Sequence, residues 1–200
     1  MKVIFLDNDG VICLTNNWGS RRKKQKKWGR MKMSMSLREV PVEHRFDDFD
    51  KKAVDVLNSV LDETGAEIVV SSDWRLHATL DELGDYYELQ RIRRRPIAVT
   101  DVFSDIYPKE WSTLRFRADV ELERYMEIQH WVDHHPDMTH WVAVDDLNMS
   151  IEFLGDRFSA KNGSNEKPGL KNFVLTPKSS EGIKQLGVKE KMISYLNSAV

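Results

Sequence analysis

Hydrophobic and polar positions divide the chain into a few strongly patterned stretches separated by longer polar ones. Val3, Ile4, Phe5 and Leu6 form an unbroken apolar run instead of an alternating one, the pattern of a strand buried on both faces of a parallel sheet. Glu67–Ser72 repeats it through Ile68, Val69 and Val70, and the stretch from Thr139 to Asp146 repeats it through Trp141, Val142, Ala143 and Val144. Between the first two runs, Phe49 to Thr64 has helical spacing. Val54, Leu57 and Leu61 share a face, Asp47, Asp48 or Asp50 can cap the start, and Gly65 stops it. Two parallel strands joined by a crossover helix make a βαβ unit. A second helix is expected from Asp73 through Leu83 with Gly84 at its end. A third is expected over Asp119 to His134, where Val120, Leu122 or Tyr125, Ile128 and Trp131 recur at helical intervals.

Other stretches break the pattern. Residues 12–46 carry no sustained periodicity and are expected to form an insertion over the mouth of the first strand. From Asp85 to Arg117 the signal is weakest: Pro96 to Val99 fits a short edge strand or a loop, and Phe103, Tyr107, Pro108 and Trp111 fit ordinary packing or a groove lining. Lys161 to Gly169, rich in Asn, Gly, Ser and Lys, is expected to be loop.

At 200 residues and 40% hydrophobic content, the chain fits one domain spanning 1–200, with residues 13–46 as a basic insertion that is either a minimal cap or a flexible loop. The one cysteine, Cys13, excludes an internal disulfide and fits a reducing compartment. The first apolar run is broken at Asp7, so there is no signal-peptide core, and no window approaches a membrane span. The expectation is a soluble cytoplasmic protein with no membrane partner. Net charge is only -2, but Arg21 to Lys32 holds eight cations and no acid, leaving about -10 on the rest. Such a block is either a solvated loop, a localisation signal or a contact for the phosphates of a nucleotide or nucleic acid, and the neighbouring Trp18 and Trp28 favour single-stranded contacts.

The candidate chemistry lies where the apolar runs end. Asp7 and Asp9 follow the first run, Asp145 and Asp146 follow the run of Trp141 to Val144, and the carboxyl ends of parallel strands are where open α/β sheets bind ligands. Either acid pair alone can be a turn or a helix cap. Four acids at one sheet edge repel unless a cation neutralises them, and an oxygen-only donor set suits magnesium better than zinc. Ser72, at a strand-to-helix junction, is either a plain N-cap or a ligand for a phosphate oxygen, and Ser71 and Arg75 beside it are candidate substrate contacts.

Asp7-Asn8-Asp9-Gly10-Val11, the strand ending at Ser72, and Val144-Asp145-Asp146 resemble, in order and spacing, the motifs of the haloacid dehalogenase (HAD) superfamily of phosphohydrolases. Ser71 to Arg75, Arg124 to Trp131 and Trp141 to Asp146 resemble more closely its small-capped branch of RNA-repair proteins and polynucleotide phosphatases, over roughly residues 1–150. The likeness extends to Phe173-Val174-Leu175-Thr176 as a final strand and Val188 to Leu196 as a closing helix. It implies an α/β fold of three layers, Rossmann-like, with a parallel sheet, helices on both faces and a small insertion after the first strand. It also implies a Mg2+-dependent phosphomonoesterase acting through an aspartyl-phosphate. In that scheme Asp7 is the nucleophile and Asp9 the general acid and base, with its backbone carbonyl a candidate metal ligand. Ser72 holds a phosphoryl oxygen, and Asp7, Asp145 and Asp146 hold the metal. The resemblance further implies a cation in the third motif, usually lysine. Arg124, opening a helix some twenty residues before Asp145, fits best, with Lys109, Arg115 and Arg117 as alternatives.

Other classes fit worse. A receiver domain lacks the Asp-x-Asp pair after its first strand and carries its acid pair early in the chain. No Gly-Lys-Ser/Thr phosphate loop and no Gly-x-Gly-x-x-Gly fingerprint is present. Two further readings stay open: a nucleic-acid-binding protein on the same fold with weak turnover, and a phosphatase of small nucleotides or sugar phosphates.

Overall fold

Each central strand supplies apolar side chains to two separate cores, which is why its sequence reads as a continuous run. In the computed structural model, which describes residues 1–29, 35–108, 119–162 and 167–198, β1 (Lys2–Leu6) sends Ile4 and Leu6 into one core and Val3 and Phe5 into the other. β2 (Glu67–Val70), β3 (Ala98–Val99), β4 (His140–Asp145) and β5 (Phe173–Leu175) pair parallel to one another around it, in the order β3-β2-β1-β4-β5. The fold is thus the expected three-layer parallel α/β arrangement.

One face of the sheet is covered by α3 (Lys51–Thr64), α4 (Leu80–Leu89) and α8 (Val188–Asn197), through Val54, Leu57, Leu61, Leu83, Tyr87, Met192 and Leu196. After the single turn α5 (Phe103–Ile106), α6 (Val120–His134) and α7 (Ile151–Asn162) cover the other face, through Ile128, Trp131 and Leu154. Of the three aspartates that could cap α3, it is Asp50 whose carboxylate accepts the Ala53 N–H at 2.9 Å, and Gly65 ends the helix. Three expectations need correction. Asp73 begins only a 3-10 turn (Asp73–Leu76), and the following helix α4 is capped by Thr79 and runs through Gly84, because a Thr79/Glu82 capping box outcompetes a continuous helix from Asp73. Val120 is exposed, so the buried stripe of α6 runs instead through Arg124, Glu127, Ile128 and Trp131. The helix α7 extends to Asn162, into the stretch expected to be loop. Pro96 to Val99 does contain an edge strand, the two-residue β3.

Residues 13–46 hold α1 (Ser20–Trp28) and the short α2 (Val42–Arg45). Like charges one turn apart, such as Arg22 and Lys26 or Lys23 and Lys27, oppose helix formation in α1. Contacts from outside the helix compensate. The Asp47 carboxylate accepts from the Arg21 backbone N–H at 2.7 Å and the Ser20 hydroxyl at 3.2 Å, Lys24 donates to Asp48 at 2.7 Å, and the buried Gln25 donates to the His44 carbonyl at 3.0 Å. Arg45 ties the segment to α4: it is buried and donates to the carbonyls of Val40 and His77 and to both Glu82 carboxylate oxygens at 2.8 Å. Arg45→Met is therefore expected to lower the unfolding free energy by about 2–4 kcal/mol, because it strands buried carbonyls and breaks a charge-assisted fork. Urea denaturation checks this.

Candidate active site

The register places the chemistry. Leu6 lies opposite Val70 on one side and Val144 on the other, so the next residues along, Ser71, Asp7 and Asp145, stand in one row at the carboxyl edge of the sheet. Backbone bonds continue the ladder there, from Asp7 N–H to the Val144 carbonyl and from Ser71 N–H to the Leu6 carbonyl, both at 3.1 Å. Alternation puts this row on the side of Phe5 and Ala143, the face covered by α6. One turn before Ile128 on that helix stands Arg124. This is how residues far apart in sequence come to share one small volume.

Arg124 is buried, and its guanidinium donates from Nη1 to Asp7 Oδ1 at 3.2 Å and Asp145 Oδ2 at 3.1 Å, and from Nη2 to Asp73 Oδ1 at 2.8 Å. Burial works against its charge, but Asp145, Asp7, Asp73 and Glu127 outweigh burial and hold it more firmly protonated than an ordinary arginine. Burial pushes Asp7 well above the usual carboxylate range, with Asp145 adding to the effect and Arg124 opposing it. Asp145 is pushed up to about 6, again mainly by burial. Five carboxyls (Asp7, Asp73, Glu127, Asp145, Asp146) face two guanidiniums (Arg75, Arg124), so negative charge is left over.

Oxygens of Asp7, Asp145 and Asp146 lie within 4.8 Å of one another, so these three residues could hold a metal ion. The set contains oxygen donors only, two of the residues are buried, and its excess negative charge is what a hard divalent cation offsets. Asp146 is held from outside by the Ser179 hydroxyl at 3.1 Å, and Leu147 N–H binds the second oxygen of Asp145 at 2.9 Å. Gly10 has φ 74°, and a side chain there would collide with the Asp146 carboxylate.

Asp9 stands apart from this trio. Its side chain is half-buried and accepts from Trp74 Nε1 at 2.7 Å, so any contact it makes with a metal in the trio would have to come from its backbone carbonyl. Burial raises its pKa, against the opposing hydrogen bond from Trp74. It lines a cleft of about 560 Å3 together with Trp18, Arg21, Arg22 and Phe46.

Two expected substrate contacts are placed differently. Arg75 is buried and committed, donating from Nη1 to the Ser71 carbonyl at 2.6 Å and from Nη2 to Glu127 at 2.5 Å. Its two terminal nitrogens thus brace the end of β2 against α6. Ser72 accepts the Trp74 N–H at 3.5 Å and so caps the 3-10 turn, whereas the buried Ser71 hydroxyl, in the row of Asp7, has no hydrogen-bond partner among the described residues. Lys109, Arg115 and Arg117 lie outside the described residues, as do Arg30 and Lys32 of the basic stretch.

Sequence patterns did not single out Asp73, Trp74, Glu127, Tyr87 or Ser179 for the site. Glu127 bridges Arg75 and Arg124 and accepts the Phe103 N–H at 2.8 Å, and the three-residue spacing from Arg124 was its available signal. Tyr87 donates to Asn8 Oδ1 at 2.6 Å and fixes the turn after β1. For Tyr87 and Ser179 the sequence carries no local signal.

The charge cluster sets a pH-dependent stability. Asp7 and Asp145 have pKa values raised in the folded state, so in the absence of divalent cations they favour folding below about pH 4, and this contribution is lost as pH rises through their raised values, about 6 for Asp145. Arg124 offsets that loss. In chelator, Arg124→Met is expected to destabilise by about 3 kcal/mol at neutral pH and by much less near pH 4, where the carboxyls are protonated. Urea unfolding at the two pH values checks it.

Comparison with known proteins gives one family: the family model for the HAD domain in Swiss Army Knife RNA repair proteins matches residues 3–185. No curated protein and no solved structure matches the chain. With its parallel sheet, its edge of aspartates and a match over most of its length, the chain belongs to the HAD-domain family of Swiss Army Knife RNA repair proteins, which at family level is a phosphatase-type hydrolase.

Proposed function

We propose that the chain is a Mg2+-dependent phosphomonoesterase that removes a terminal phosphate from a nucleotide or nucleic acid through an aspartyl-phosphate on Asp7. The observation that carries this reading is the meeting of Asp7, Asp145 and Asp146 within 4.8 Å beside the buried Arg124. Asp7, Asp145 and Asp146 would hold the magnesium ion, which when bound supplies charge neutralisation and polarises a phosphoryl oxygen.

The chain's own groups do the rest. Arg124 opposes the burial that favours protonation of Asp7, and its guanidinium places positive charge beside the oxygen that would attack phosphorus. A carboxylate oxygen of Asp7 bonds to phosphorus while the ester P–O bond breaks, and Asp9 gives its proton to the departing alcohol. Asp9 then takes a proton from water, whose oxygen bonds to phosphorus as the bond to Asp7 breaks, releasing inorganic phosphate. Trp74 holds Asp9 at the mouth of the cleft, where a leaving group would emerge. The Ser71 hydroxyl, in register with Asp7 and unpartnered among the described residues, is the better candidate than Ser72 for a phosphoryl oxygen. Residues 13–46 serve as a minimal cap, their helix α1 bordering that cleft with Arg21 and Arg22. The family's description as RNA-repair proteins and this basic border support a nucleic-acid substrate.

Phosphate release from a generic aryl phosphate tests the reading. Turnover should require Mg2+, vanish in Asp7→Asn, and fall by roughly 10²–10⁴-fold in Asp9→Asn. Turnover that survives Asp7→Asn, or chelation, would show a different reaction.

A further inference from the structure

A second cleft, of about 790 Å3, shares Trp18 with the cleft that Asp9 lines. Trp18 lines both clefts; the residue is 51% exposed, and its Nε1 donates to the Cys13 carbonyl at 3.2 Å. The ring is therefore pinned at one edge while much of its surface meets solvent.

Charge in the second cleft is one-sided once internal pairs are removed. Its two acids are already matched, Asp48 by Lys24 at 2.7 Å and Asp50 by Lys184 at 3.0 Å. Lys23, Lys51, Lys52 and Arg91 also line it, are exposed, and have no ion-pair partner among the described residues. Three of these positions run against local stability. Lys51 and Lys52 open α3, whose first turn has no acid, so they sit at the positive end of the helix dipole. Arg91 has φ 69°, the one non-glycine residue with positive φ among those described. Asn58 holds that turn, donating from Nδ2 to the Arg91 carbonyl and accepting the Arg93 N–H, both at 2.9 Å. Cations kept where helix dipole and backbone disfavour them point to an anionic ligand spread along the cleft.

We infer that the two clefts form one track for a single-stranded nucleic acid. The terminal phosphate enters at Asp7, a base near the end stacks on Trp18, and the following backbone phosphates lie against Lys23, Lys51, Lys52 and Arg91. This rests on the phosphomonoesterase reading and extends it: the substrate is a strand, and the site continues past its terminal nucleotide. A spaced row of cations with an exposed aromatic between them matches the alternation of phosphates and bases in an unpaired strand.

Fluorescence anisotropy in chelator, with a labelled single strand of about six nucleotides bearing a terminal phosphate, tests the track without turnover. The strand should bind at least about tenfold more tightly than the corresponding mononucleotide, Trp18→Ala should lose roughly tenfold, and Trp18→Phe should restore binding. Charge reversal of both Lys51→Glu and Lys52→Glu should flatten the slope of log affinity against log salt by about 1.4, the value for two lost phosphate contacts. The thermal midpoint of each variant shows that it is folded. Wild-type affinity in both the Trp18→Ala and the charge-reversed protein, or equal binding of a polyglutamate of matching charge, overturns the track. Strand binding as described, alongside failure to hydrolyse an aryl phosphate, upholds the track and overturns the phosphatase.

Discussion

The site depends on one buried guanidinium. Arg124 binds carboxylates delivered by β1, β4 and the turn after β2, and without it the buried Asp7 and Asp145 would have no ion-pair partner among the described residues. In a low-dielectric setting repulsion between such acids is strong, and it is relieved only by an opposite charge or by protonation. Arg124 supplies the first remedy in part. It neutralises part of the cluster, and Asp7, Asp145 and Asp146 remain grouped so that they could hold a metal ion.

The position of that guanidinium is fixed by a chain of secondary contacts. Glu127, one turn along α6, pairs with Arg75, and Arg75 in turn binds the Ser71 carbonyl at the end of β2. The sheet edge and the helix above it are thereby locked to one another through charged groups, on the same face where Phe5, Ile128 and Trp131 pack. On the opposite face, the bond from Tyr87 to Asn8 fixes the turn between the two first-strand aspartates, while Trp74 stacks on Phe46 at 4.3 Å and holds Asp9. Asp7 and Asp9, one residue apart, are consequently held by different sides of the molecule. That separation suits two different tasks.

Legibility in the sequence followed the physics of each element. β1, β2 and β4 were readable because burial on both faces demands an unbroken apolar run, and α3 because its core stripe, cap and stop signal agree. The four strand-end aspartates were readable from their places at the ends of those runs. α1 was not, since its helix is stabilised by Asp47, Asp48 and His44 from another segment and opposed by its own charges. The roles of Ser71 and Ser72 could not be told apart without the register, because one step along a strand changes the face. Arg75 is a candidate substrate contact in the sequence because it follows the strand-end serines, and its partners in the fold were not legible there. Its commitment to Glu127 depends on a helix about fifty residues away.

The central claim is that this cluster equips Asp7 to take a phosphoryl group. The most direct measurement is to quench the enzyme in acid during turnover, reduce it with borohydride, and map the peptides by mass spectrometry. Homoserine, the reduction product of an aspartyl-phosphate, is expected at position 7 and nowhere else. Ongoing turnover with position 7 unmodified, or modification at another carboxylate, would contradict it.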